Sequence, residues 1–249
     1  VIGIPQVRTT LQYDRDDPAG DFDPKLTNVP SLETMTKAAL NVLDNNPKGF
    51  AVMIEGGAVD WANHGNKLDR MIEEQTDFNN AVRAVVDYLD AGSNGNNWDN
   101  TLLIITADHE CGHLWGPGSF NDANKNRRFD AGDVFNGFNP ILDDGPHKLP
   151  KAQYGSNDHI NALVPLYAKG AGAKLFMEHI VDTDPEMPQK YNLIGSFDGS
   201  YIDNTSIFYV MKRALLHAHY QRSTVEPHVN PDPKPISSKT SPFASIPAL

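Results

Sequence analysis

The chain has 249 residues, 27.4 kDa, with 21 Lys and Arg against 32 Asp and Glu, a formal net charge of −11 at pH 7. That length allows a sizeable buried core in one large domain or two small ones, and 39% hydrophobic with 9% aromatic residues argues against wholesale disorder. The acidic balance argues against a nucleic acid-binding surface or an anionic membrane as partner, because both need a cationic face.

The single cysteine, Cys111, excludes an internal disulfide framework. No apolar run approaches the ~20 residues of a membrane span, and no charged start is followed by an apolar signal core. The chain opens Val1-Ile2-Gly3 rather than on Met, as a mature form or a piece of a longer chain would.

Residues 1–30 are polar and rich in Asp and Pro, an irregular lead-in. From Ser31, a suitable N-cap, Leu32, Met35, Ala38, Ala39, Val42 and Leu43 recur at helical spacing, and Asn45-Asn46-Pro47-Lys48-Gly49 stops the helix. Phe50-Ala51-Val52-Met53-Ile54 then reads as a short strand ending in Glu55-Gly56-Gly57. A second helix is predicted over 66–90, with Leu68, Met71, Phe78, Val82, Val85 and Leu89 on one face. Beyond a polar turn, Thr101 to Thr106 reads as another strand, ending in Asp108-His109-Glu110.

Short apolar runs separated by a helix suit parallel strands buried on both faces, so the predicted fold class is α/β. In such sheets ligands bind beyond the carboxyl ends of the strands, where Glu55 and Asp108-His109 fall. From Gly112 to about Asn157 the pattern lapses into loops. A third run over 162–168 contains Pro165, which suits an edge position. A closing helix is predicted over 204–219, and the last 26 residues, from Thr224, hold six prolines and read as a peripheral tail.

Three polar clusters carry the chemistry. In Glu55-Gly56-Gly57-Ala58-Val59-Asp60-Trp61-Ala62-Asn63-His64, Asp60 and His64 are four apart, which on one helical turn sets both on one face. Thr106-Ala107-Asp108-His109-Glu110 follows a strand, and Gly155-Ser156-Asn157-Asp158-His159 precedes the third run. Singly these read as a surface ion pair, a helix cap and a structural histidine. Together they place carboxylates and imidazoles at one sheet edge, a donor mixture that zinc favours.

These motifs, in this order and spacing, resemble the metal motifs of bacterial-type alkaline phosphatases: Glu55-Gly56-Gly57-x-x-Asp60-Trp61-Ala62-x-His64, Thr106-Ala107-Asp108-His109-Glu110, and His159 ahead of Val164-Pro165-Leu166-Tyr167-Ala168-Lys169-Gly170. The resemblance runs from about Pro30 to Lys212 and includes Tyr201-Ile202-Asp203-Asn204-Thr205 before the last helix. It implies a mostly parallel sheet with helices on both faces, in which residues 1–249 form the C-terminal portion of one domain. It also implies a loop-rich, crown-like insertion over 113–157 and a Pro-rich tail over 224–249.

The resemblance implies that Asp60, His64 and His159 hold a first zinc. Asp108 and His109 would hold a second, and Glu55 a magnesium beside it. Such enzymes hydrolyse phosphate monoesters to inorganic phosphate by an in-line displacement between two metals. One zinc activates a serine, forming a phosphoserine intermediate. The other stabilises the leaving oxygen, then supplies the hydroxide.

The Asp-Ser-Ala segment that bears the family's nucleophile has no counterpart, since the chain contains no Asp-Ser dipeptide. The Asp that bridges the second zinc and magnesium, the remaining magnesium ligand and the phosphate-clamping Arg are also not found. Ser31, Ser119, Ser156 and Ser196 have no motif to support them as substitutes. The expectation is a C-terminal half, inactive alone, whose partner is the N-terminal half of the same enzyme. A homodimer and a periplasmic or secreted location are further implications of the resemblance.

A phosphodiesterase or sulfatase-like relative, or a non-catalytic zinc- and calcium-binding fragment, is the alternative. Cys111 falls two residues past His109. The resembled family has no cysteine there, which favours packing beside the ligands. Trp61 either shapes the entrance or packs in the core.

Asp122, Asn124, Asn126, Asp130 and Asp133 take loop positions 1, 3, 5, 9 and 12 of an EF-hand-like calcium loop, with the Arg128 carbonyl at position 7. Arg127 where Gly is preferred, and Asp133 in place of a bidentate Glu, weaken that site. An Asx-rich surface turn is the other reading.

Overall fold

Ser31 caps the first helix: its Oγ accepts from the Thr34 N–H at 3.1 Å, opening α1 (Leu32–Leu43). The computed structural model describes residues 12, 13, 15, 25–121, 123, 132–187 and 198–224, with side chains to Leu216. The Leu32 N–H, unpaired within its own helix, donates to Asp77 Oδ2 of α3 at 3.0 Å. α2 spans Ala58–His64 and α3 spans Leu68–Asp90, with α1 and α2 both packed on α3.

The fully buried residues of α3 are Arg70, Glu74, Ala81, Ala84, Val86 and Leu89. Of the predicted apolar face only Leu89 is among them, and Leu68, Met71, Phe78, Val82 and Val85 are half-buried. Near the start of α3, Glu73 binds Arg15 at 2.7 Å and Arg70 at 3.4 Å, so the guanidiniums enter the core paired.

The strands form one nested ribbon. β1 (Leu102–Ile105) pairs with β8 (Tyr167–Gly170), β2 (Glu110–Cys111) with β7 (His159–Ile160), β3 (Leu114–Trp115) with β6 (Gln153–Tyr154), and β4 (Phe120–Asn121) with β5 (Val134–Phe135). A separate pair joins β9 (Ile180–Thr183) to β10 (Ser200–Ile202). The closing helix α4 spans Ser206–Thr224.

This corrects the predicted sheet. Every ladder among the described residues is antiparallel, because β1 and β8 are the two arms of one ribbon. β1 is half-buried along its length rather than covered on both faces. Residues 51–56 are not in a strand: Val52 is 42% and Met53 86% exposed. The third run enters its strand only after Pro165, which has no N–H to give a ladder.

The ribbon carries its own aromatic cluster. Ring centroids of Trp115 and Phe138 lie 4.5 Å apart, Phe135 and Phe138 4.7 Å, and His113 and Phe120 4.8 Å. Burial in this cluster pushes the His113 imidazole below its ordinary range. At Gly116 a Cβ would stand 1.7 Å from the Pro140 carbonyl oxygen, so only glycine fits.

Of the calcium-loop residues, Asp122, Asn124, Asn126, Arg128 and Asp130 lie outside the described residues. Asp133 Oδ1 accepts from the Ala123 N–H at 2.9 Å. The Pro-rich tail beyond Thr224 also lies outside them. Among the described residues no helix is long and apolar enough to cross a membrane.

Candidate metal centre

α2 starts where Gly56 lies against Phe78 of α3, close enough that a Cβ would stand 2.9 Å from the ring. The helical turn then sets His64 Nε2 3.4 Å from Asp60 Oδ2. From the ribbon, β7 delivers His159, whose Nε2 lies 3.1 Å from Asp60 Oδ1 and 3.0 Å from His64 Nε2. Three donors from two parts of the fold, 95 and 99 residues apart in sequence, therefore converge on one point.

Their spacing suits a shared ion. Two donors each ~2.0–2.1 Å from a tetrahedral zinc stand about 3.3 Å apart. The His64 imidazole is also oriented: its Nδ1 lies 2.7 Å from the Asn157 carbonyl oxygen. A carbonyl only accepts, so Nδ1 carries the proton and Nε2 offers a lone pair to the site. A backbone carbonyl behind a ligating imidazole is the usual way of fixing its tautomer.

Cys111 joins this group. Its Sγ and the ligand atoms of Asp60, His64 and His159 all lie within 4.8 Å of one another. The thiol donates to the Asp60 carbonyl oxygen at 3.6 Å. Burial, and then Asp60 beside it, push its pKa up to about 12.

The second cluster lies alongside. His109 stacks on His159 with ring centroids 3.5 Å apart, and its Nε2 is 3.1 Å from Asp108 Oδ2. Asp108 is largely exposed, while the preceding turn is anchored by Thr106 Oγ1 donating to the Pro165 carbonyl at 3.1 Å. Glu55 is exposed, its carboxylate turned back over Gly57. Glu55, Asp108 and His109 stand outside the four-residue group. Trp61 is 44% exposed and meets the Tyr13 ring edge-on at 6.3 Å.

Sequence reasoning missed two supports. Tyr154 donates to Asn63 Oδ1 at 3.0 Å, tying α2 to the ribbon. Glu110 Oε1 accepts from the His113 N–H at 2.6 Å, and burial raises its carboxyl pKa. The first has no sequence signal, because it depends on a two-residue strand whose pairing no periodicity reveals, and the second is a local turn contact without a motif of its own.

The candidate serines are occupied structurally. Ser31 caps α1. Ser119 is fully buried, donating to the Gly116 carbonyl and accepting from the Asn139 N–H. Ser156 Oγ accepts from the Asp158 N–H at 2.9 Å, and Ser196 lies outside the described residues.

A carboxylate and two imidazoles, one of them oriented by a backbone carbonyl, with His109 of a second Asp-His pair stacked on His159, define a candidate centre for divalent transition metals. The chain belongs to the alkaline phosphatase family, whose family model matches residues 8–192. Alkaline phosphatase 4 of Bacillus subtilis is 37% identical over 86 residues, 34% of this chain and 17% of that protein. The human tissue-nonspecific alkaline phosphatase is 31% identical over 119 residues, 48% of this chain and 20% of that one. Among solved structures, the alkaline phosphatase of the Antarctic bacterium TAB5 aligns with a TM-score of 0.42 and 22% identity, over 58% of this chain and 35% of that one. The chain thus spans well under two thirds of each of these relatives.

Proposed function

We propose that this chain is the C-terminal, metal-bearing half of a phosphate monoester hydrolase. The convergence of Asp60, His64 and His159 carries this reading, together with the family membership. Asp60, His64 and His159 would hold one zinc, Asp108 and His109 would share a second, and Glu55 would contribute to a magnesium site. Bound there, the two zinc ions supply a clamp on the attacking and leaving oxygens of an in-line displacement.

The chain's own part is to position. The Asn157 carbonyl holds the His64 ring with Nε2 inward. The stack of His109 on His159 supports this reading, since it would set the two proposed metal clusters side by side. The serine that forms the phosphoserine intermediate would come from the N-terminal half, consistent with the structural roles of Ser31, Ser119 and Ser156. Side-chain exposures of 40% at His159 and 32% at Asp60 leave the site open to a partner surface and to substrate.

The assembled enzyme would be a homodimer in the periplasm or outside the cell. Residues 113–157 would form a crown-like insertion built on the aromatic cluster, with the 122–133 loop holding calcium to stiffen it. Asp122→Ala combined with Asp130→Ala is expected to lower calcium content and melting temperature, and unchanged values would refute that site. The Pro-rich stretch from Thr224 would lie peripherally.

Native mass spectrometry followed by denaturation in the same run tests the half-enzyme reading. An active preparation is expected to release this chain plus a second, different polypeptide. Turnover by a preparation containing only the 27.4 kDa chain would overturn it.

A further inference from the structure

We propose that Asn66 is a positioning residue of the metal centre: its side-chain amide bridges α2 to the bend before β7 and thereby aims the carbonyl that orients His64. The inference rests on the reading of Asp60, His64 and His159 as zinc ligands and adds to it a residue with no ligand role.

The three donors come from two segments, Asp60 and His64 from α2 and His159 from β7. The site exists only while those segments keep one relative placement, and the amide of Asn66 touches both. One end of it lies 2.8 Å from the Asn63 carbonyl oxygen, in the last turn of α2, and 2.8 Å from the Ser156 carbonyl oxygen, in the bend. Carbonyls only accept, so the end facing them is the NH2 group, which donates one hydrogen to each.

Ser156 is the neighbour of Asn157, whose carbonyl takes the His64 Nδ1 hydrogen at 2.7 Å. A planar peptide unit separates the two residues, so holding the Ser156 oxygen limits where the Asn157 oxygen can point. The other side of the bend is fixed as well, because the N–H groups of Gly155 and Ser156 donate to the Gly112 carbonyl at 3.2 and 3.1 Å. Asn66 closes the link that runs from α2 to the bend and back to His64.

A plain helix cap would ask for less. Asn66 follows the Gly65 cap with φ +51°, and its own N–H donates to the Asn63 carbonyl at 2.9 Å. Glycine is the usual residue in that left-handed conformation, and the amide is what glycine lacks. Asn66→Gly therefore keeps the backbone and removes the bridge.

Two readouts on the purified preparation, with whatever polypeptide accompanies the chain, test this. Proton–nitrogen correlation NMR of the metal-free protein, at a pH where the imidazoles are neutral, is expected to show His64 protonated on Nδ1. In Asn66→Gly the ring is expected to divide between both tautomers, with the melting temperature close to the parent's. Zinc affinity, measured by competition with a chelating dye, is expected to fall about tenfold in that variant. Asn66→Asp tolerates the same φ but sets acceptors against both carbonyls, and is expected to lose more. A folded Asn66→Gly with the parent's His64 tautomer and zinc affinity would overturn the inference and leave Asn66 a helix cap. Failure of both variants to fold would overturn it too, making Asn66 a residue of the fold. Zinc affinity unchanged in His64→Ala would overturn the zinc reading itself, an outcome that the metal-free tautomer readout separates from failure at Asn66.

Discussion

His64 Nδ1 sits 2.7 Å from the backbone carbonyl of Asn157, a residue 93 positions later in the chain. The contact joins α2 to the bend just before the strand that carries His159, so one hydrogen bond both orients an imidazole and ties the two halves of the site together. His64→Gln keeps a polar side chain but loses the ring and its oriented lone pair. Outer partners of metal ligands are worth 10–100-fold in affinity. Loss of the ligand itself is therefore expected to cost about 100-fold or more in zinc affinity, measured by competition with a chelating dye.

Gly116→Ala tests the ribbon. Its Cβ would fall 1.7 Å from the Pro140 carbonyl oxygen, and the Gly116 N–H already donates to the Asn139 carbonyl at 2.8 Å. Backbone on both sides leaves no flexible side chain to move aside. Overpacking of this kind costs about 1–3 kcal/mol, and the melting temperature is expected to fall by roughly 2–4 °C for each kcal/mol. Gly92→Ala is a control for added bulk: nothing lies within 4 Å of the new Cβ, although its φ of +63° carries strain of its own.

Glu74 supplies a pH dependence. It is 6% exposed, Oε1 has no hydrogen-bond partner among the described residues, and burial followed by Asp77 raises its pKa above the ordinary 4.5. The folded chain therefore binds this proton more tightly than the unfolded chain, and stability falls as pH rises through the range above 4.5. Glu74→Gln removes the buried charge. It is expected to stabilise the fold at pH 8 by about 1 kcal/mol. The gain should shrink as pH falls toward 4, as read by chemical denaturation at several pH values.

The shared face of Asp60 and His64 was legible from spacing, because it is local geometry, whereas the grouping of His159 with them came only from the family resemblance. Asp60 and His64 share a helical face because α2 is helical, and Ser31 caps α1 because its hydroxyl reaches the Thr34 amide. The sheet was less legible. Apolar runs at 50–54 and 101–105 look alike in sequence, yet one is a paired strand and the other is not. What separates them is a partner: β1 finds β8 across a long nested ribbon, a pairing invisible to any short window. The place of Cys111 was hidden for the same cause, since only the β2–β7 register sets it opposite His159.

Met53, 86% exposed, and the α4 residues Phe208, Leu215 and Leu216, each about 60% exposed, leave large apolar surface uncovered. Exposed apolar patches and unpaired extended segments promote association. The chain expressed alone is expected to sediment as heterogeneous aggregates. Co-expression with the N-terminal half should give one discrete species, and a monodisperse chain without it would contradict this.

Reconstitution tests the central claim most directly. The chain and the N-terminal half are refolded together with zinc and magnesium, then assayed on a simple aryl phosphate. The account expects no turnover from either half alone, turnover from the mixture, and its loss when the chain carries His159→Ala. A mixture that binds zinc through His159 yet hydrolyses nothing would contradict it and make the metal site structural.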